Sequence, residues 1–117
     1  MLLGQSYLDY AQETNKNEFY KLAEKNLLLH SELFPMSAGV DYVLSTFIDY
    51  SQNDFHQKKM LNKLKKIKFD ESQITLILFA LGKSFEDQKK YDQSYQFIKM
   101  ANEIRNKMVD KNIIRSE

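Results

Sequence analysis

No cysteine occurs in the 117 residues. Disulfides, thiolate zinc sites and cysteine nucleophiles are thereby excluded together, and the composition suits a reducing compartment. Proline occurs once, at Pro35, and glycine three times, at Gly4, Gly39 and Gly82. So little turn-forming material argues against sheets joined by tight hairpins. Isolated glycines also exclude a phosphate-cradling loop, which needs closely spaced glycines so that backbone N–H groups can reach the anion. Only two of the 17 basic residues are arginine. Lysine is a flexible point charge, whereas phosphate and base recognition favours the guanidinium fork. The net charge of +1 gives no global field that would draw nucleic acid or a membrane. The longest apolar run, ITLILFALG, falls far short of the ~20 residues a membrane helix needs. The N-terminal MLLGQSYLDY lacks the basic start and extended apolar stretch of a signal peptide. A cytoplasmic chain without membrane insertion is the resulting expectation.

What is present follows the helical period. Tyr91, Ser94, Phe97, Ile98, Ala101, Ile104 and Met108 fall on one face at spacings of three and four. Leu44, Phe47 and Ile48 do the same, as do Met60, Leu61, Leu64 and Ile67. Short polar or proline-bearing breaks occur at TNKN, FPM, SQND, KFDES and QKK. Asn17, Asp54 and Asp70 are placed to cap helices. The pattern predicts an all-α chain of six helices, roughly 2–13, 18–33, 37–51, 55–67, 71–88 and 91–113. Short connections make neighbours antiparallel, giving three helical hairpins.

The hairpins carry a period. Leu78, Leu81, Gly82 and Phe85, followed by Tyr91, Ser94, Ile98 and Ala101, resemble the tetratricopeptide pattern of spaced large and small residues. Gly82 and Ala101 allow close helix approach there, with Leu81, Phe85 and Tyr91 filling the space around the contact. A weaker copy lies upstream in Leu44, Ser45, Ile48, Leu61 and Leu64, and another in Tyr7, Ala11, Tyr20, Ala23, Leu27 and Pro35. LGQSY at 3–7 echoes LGKSF at 81–85 and offers a competing register for the first unit. The resemblance implies an α-α superhelix of about three units, near 4–37, 38–71 and 75–108, with the last helix also serving as a cap. FALGKSFEDQKKYDQSYQFIKMANEIR further resembles the repeat preceding the catalytic domain of bacterial tetratricopeptide-sulfotransferase proteins, as does DFHQKKMLNKL before it. The Pro-Arg-Ser-Gly-Thr phosphosulfate loop that opens that catalytic domain is absent from this sequence, so the family's catalysis does not carry over.

In such a stack the first helices of successive units line a concave side. The registers place Tyr42, Thr46, Asp49 and Tyr50 there from the second unit, and Phe79, Lys83 and Glu86 from the third. Exposed aromatics beside opposite charges would grip a peptide or protein, although burial of the same residues in the stack is an equal alternative. Repeats that clamp a chaperone's C-terminal carboxylate use Lys, Arg and Asn at set positions. Here Tyr42, Val43, Phe79 and Ala80 occupy the comparable places.

A second candidate is HQKKMLNKLKKIK, which sets Lys58, Lys59, Lys63, Lys65, Lys66 and Lys68 around the seam of Met60, Leu61, Leu64 and Ile67. It reads either as a solvated outer face or as a patch for anionic lipid, an acidic partner or phosphate. No aromatic residues interleave for base stacking, which disfavours nucleic acid. His30 and His56 have no partner at metal-ligand spacing, and His56 is expected half-exposed on the surface. Glu86 and Asp87 read as a solvated acidic pair rather than a general acid and base. No metal, cofactor or catalytic residue is therefore expected. Met108, Ile113 and Ile114 could support self-association. The reading is a non-catalytic interaction module, with a detached sulfotransferase accessory segment and an anionic-surface binder as alternatives.

Overall fold

The computed structural model describes residues 17–116. The expected helix at 2–13, with Gly4, Tyr7 and Ala11, lies outside them, as do the side chains of Ile113 and Ile114. Five helices and no strand occur among the described residues: α1 (Asn17–Leu33), α2 (Ala38–Ser45), α3 (Phe55–Lys66), α4 (Glu71–Asp87) and α5 (Tyr91–Ser116). The all-α expectation holds, and four of the five helices lie close to their predicted bounds.

The exception is α2, which stops at Ser45 rather than running to 51. The hydroxyls explain the early end. Ser45 Oγ donates to the Tyr42 carbonyl at 2.6 Å, and Thr46 Oγ1 to the Val43 carbonyl at 2.7 Å. Such bonds offer the backbone an alternative to continuing the helix. Asp49 then accepts from the Ser51 N–H and hydroxyl, forming a tight Asx turn.

Cap chemistry sets the other ends. Asp70 Oδ1 accepts from the Gln73 N–H at 2.8 Å and starts α4 as expected. Asp54 makes no side-chain cap bond; Asn53 Oδ1 instead accepts from the Phe55 N–H at 3.0 Å. At the end of α4, Lys89 adopts φ 60°. The Lys90 N–H reaches the Phe85 carbonyl and the Lys89 N–H reaches that of Glu86, each at 2.9 Å. This is a Schellman turn, and it reverses the chain into α5.

The helices α2 and α4 run parallel. At one end the Ala38 N–H donates to Gln73 Oε1 at 2.8 Å, and at the other the Tyr50 N–H donates to Asp87 Oδ2 at 3.1 Å. Helix α3 runs back against α4, so that Gln57 near its start bonds to Ser84 and Gln88 near the end of α4. Leu27, Val40, Leu44, Met60, Ile77 and Leu81 fill the space between these helices and are fully buried. Each such side chain contributes about 1.5–3 kcal/mol of burial free energy.

In the α4–α5 hairpin Gly82 meets Ser94 and Ile98, and Ala101 is buried one turn further on. Ser94 Oγ donates to the Gly82 carbonyl at 2.7 Å. A Cβ on Gly82 would stand 2.5 Å from Ile98 Cγ1, so only glycine permits this approach without a shift. Phe85 and Phe97 stack beside the contact with centroids 5.5 Å apart. Tyr91 does not join them; its ring is exposed at the start of α5.

Candidate functional site

Helix α2, only eight residues long, would be marginal alone and is held by its partners. Tyr42 on its outer face, the buried Ser45, and Thr46 just past its end meet Phe79 and Lys83 of α4 and Arg105 of α5 around a recess of about 270 Å³. Four of the seven groove residues expected from the sequence are therefore brought together. The Tyr42 side chain is exposed, Phe79 is half-buried, and the Arg105 guanidinium carbon lies 5.3 Å from the Phe79 ring centroid. Arg105 Nη2 also donates to Asn102 Oδ1 at 2.8 Å, and no carboxylate pairs with it among the described residues. A guanidinium lying on an aromatic face beside a phenol is suited to bidentate capture of a carboxylate, or to stacking on an apolar side chain. Sequence reasoning missed Arg105 because it belongs to the second helix of its hairpin. Its spacing on α5, one position past Ile104, puts it beside the apolar stripe and was the available signal.

The other three groove candidates stand elsewhere. Glu86 is exposed on α4 but does not line the recess. Asp49 is exposed in the turn after α2, where the Ser51 hydroxyl and N–H hold its carboxyl below the usual aspartate value. Tyr50 is only 1% exposed and so cannot present itself to a partner. Its hydroxyl lies 2.6 Å from His56 Nδ1, and burial, then the charges of Asp41 and Asp87, push its phenol well above the ordinary range. Lys83 lines the recess but is already engaged. It donates to the Ile48 carbonyl at 2.7 Å and to Asp87 Oδ2 at 2.6 Å, and lies over the Tyr50 ring. Asp87 is accordingly part of this lock rather than a solvated acid.

Beneath α2 lies a buried polar cluster that no sequence motif announced. Asp41 Oδ1 accepts from Ser31 Oγ at 2.9 Å and from His56 Nε2 at 2.8 Å, and Asp41 Oδ2 accepts from Lys63 Nζ at 2.9 Å. Lys63 also donates to Ser31 Oγ at 2.6 Å. With Nε2–H donated to Asp41, His56 Nδ1 is left to accept from the Tyr50 hydroxyl. Burial raises the Asp41 carboxyl, but the bonds from His56 and Lys63, together with the Lys63 charge, outweigh it and leave the group below its ordinary value. Every side chain of the cluster is satisfied. It joins α1, α2, α3 and the turn at Tyr50, and has no open face through which a substrate could approach.

Two expectations are corrected here. His56 is buried rather than half-exposed, and Lys63, 9% exposed, belongs to the core rather than to a basic patch. The inferred seam of Met60, Leu61, Leu64 and Ile67 does pack on the core, and the buried stripe of α3 also takes in His56, Gln57 and Lys63. The remaining lysines divide. Lys58 pairs with Asp54 at 3.4 Å, and Lys59 pairs with Glu32 and lies over the Phe55 ring. Lys65 and Lys66 are exposed. Met108 is half-buried on α5.

A larger open cleft, about 580 Å³, lies between residues 50–54 and 87–90. Its Asp87 and Gln88 side chains are committed to Lys83, Tyr50 and Gln57. Among the described residues no cluster of three or more His, Asp or Glu could hold a metal ion, and no helix is long and apolar enough to cross a membrane.

Comparison of the chain with family models, curated proteins and solved structures returns no match. The recess and the buried cluster therefore carry the functional reading.

Proposed function

We propose that the chain is a non-catalytic protein-interaction module built of tetratricopeptide-like hairpins, and that it grips an extended peptide segment through the α2–α4–α5 recess. The observation that carries this reading is the convergence of Tyr42 and Thr46 with Phe79 and Arg105 from three different helices. Parallel α2 and α4, with α3 and α5 each running back along α4, support the reading. The buried Asp41 cluster supports the reading from below. By tying α2 to α1 and α3, it fixes the surface that Tyr42 presents without ordering on binding. An aromatic ring and a guanidinium at the centre of a small recess are the residue types that dominate interface energetics.

The test is a displayed library of random short peptides selected on the intact chain, followed by calorimetry on the enriched sequences. Ligands of this recess lose at least about tenfold in affinity on Tyr42→Ala or Arg105→Ala, the loss of a single hot-spot contact. Peptides indifferent to both substitutions, or no enrichment at all, would overturn the reading.

A further inference from the structure

The basic stretch on α3 acquires a different meaning once its ion pairs are assigned. Lys58, Lys59 and Lys63 are held by Asp54, Glu32 and Asp41. Lys65, Lys66 and Lys68 are exposed and have no ion-pair partner among the described residues. These three sit at the C-terminal end of α3 and in the connection that follows it.

That end of the molecule holds a second feature. The Ala38 N–H to Gln73 Oε1 bond brings the starts of α2 and α4 together, so the connections leading into them are neighbours. Lys63 Nζ, reaching Ser31 Oγ and its carbonyl, likewise holds the ends of α3 and α1 together. The first of those connections carries Leu33, Phe34 and Met36, which are 65%, 57% and 58% exposed around Pro35. The Phe34 ring lies against that of His30, 4.8 Å away centroid to centroid, and still leaves more than half of its surface exposed. Two of the nearby acids are engaged elsewhere: Glu32 with Lys59, and Asp70 with the first turn of α4.

An apolar corner beside three unpaired lysines narrows the chemistry of its partner. A duplex would use the lysines and offer nothing to Leu33, Phe34 and Met36, and a single strand could stack on Phe34 but would leave Leu33 and Met36 unused. A membrane interface accepts both, taking apolar side chains at the headgroup–acyl boundary and cations at anionic headgroups. We propose that this end of the molecule docks peripherally on an anionic lipid surface. Leu33, Phe34 and Met36 enter the interface, and Lys65, Lys66 and Lys68 face the headgroups. The surface shares no residue with the peptide recess.

The chain has no tryptophan, so Phe34→Trp places a single reporter at the corner. With vesicles of phosphatidylcholine and phosphatidylglycerol its emission moves to the blue, and partitioning falls steeply with salt. Lys65→Gln, Lys66→Gln and Lys68→Gln together weaken partitioning at least about tenfold in that background, as does Leu33→Ser with Met36→Ser. Circular dichroism of each variant should match the parent, since all these side chains are exposed. No blue shift, an equal shift with phosphatidylcholine alone, or partitioning unaffected by the lysine changes would overturn the proposal. Binding of a single-stranded oligonucleotide that survives Phe34→Asp, with no binding to vesicles, would assign the lysines to nucleic acid and overturn it equally.

Discussion

Lys63 Nζ lies 2.9 Å from Asp41 Oδ2 inside the helical core, where neither side chain meets solvent to any useful extent. Removing one member of such a pair leaves the other charge buried and uncompensated, a loss of about 3–5 kcal/mol. Lys63→Ala should therefore strongly lower the midpoint of urea unfolding. Lys65→Ala, two positions along the same helix but exposed, should change stability by less than about 0.5 kcal/mol. Equal effects of the two substitutions would mean that Lys63 is solvated.

The same pair sets a pH dependence. Asp41 has its folded carboxyl below the ordinary value, so the folded state binds fewer protons than the unfolded chain as that group titrates. Its contribution to stability is present in full above the ordinary aspartate range and is lost as pH falls through the folded value. In Lys63→Met the balance tips towards burial, which raises the carboxyl. The stability gap between the parent and this variant should then narrow from pH 7 to pH 4, measured by urea unfolding at each pH. A gap that stays constant or widens would refute the assignment.

The fold was legible in the sequence wherever it depended on local periodicity. The stripe from Ser94 to Met108, the break at 88–90 and the close approach at Gly82 all lie within one hairpin, and all appear where the spacing puts them. What escaped was non-local. Ser31, Asp41, Tyr50, His56 and Lys63 span four parts of the chain, and no spacing rule links them. The one available signal was compositional, since Asp41 lies between the core positions Val40 and Leu44, and Lys63 lies three residues after Met60. A charge on a buried stripe announces a partner but does not name it. The recess was half legible, because Tyr42, Thr46, Phe79 and Lys83 follow from helix register, while Tyr50 turned inward when α2 ended early.

Gly82 offers a test of the hairpin contact. Replacing a mid-helix glycine by alanine ordinarily stabilises by about 1 kcal/mol. Here the new methyl would meet Ile98 Cγ1 at 2.5 Å and Cδ1 at 3.1 Å, and the Ser94 carbonyl at 3.4 Å. Overpacking typically costs about 1–3 kcal/mol, so Gly82→Ala should be net destabilising. In the Ile98→Ala background the same change should become favourable, giving a coupling of more than about 1 kcal/mol in a double-mutant cycle. Additivity would show that α4 and α5 are not in contact at Gly82.

Lys83 and Tyr42 line the same recess but should behave differently. Lys83 closes the turn after α2 by bonding the Ile48 carbonyl and Asp87, which in turn accepts from the Tyr50 N–H. Truncating it leaves a carbonyl and a carboxylate short of a donor, so Lys83→Ala should lower stability by about 1–3 kcal/mol. Tyr42 makes no hydrogen bond through its hydroxyl among the described residues and is 41% exposed. Tyr42→Phe should therefore leave unfolding within about 0.5 kcal/mol of the parent. If the recess grips peptides, Tyr42→Ala should weaken a selected ligand in proportion at every denaturant concentration that leaves the chain folded. Lys83→Ala should weaken the ligand mainly where the fold itself begins to fail. Parallel loss of binding in fully folded Lys83→Ala would instead make Lys83 a direct ligand contact, and its bonds to Ile48 and Asp87 would then be interchangeable with the partner's.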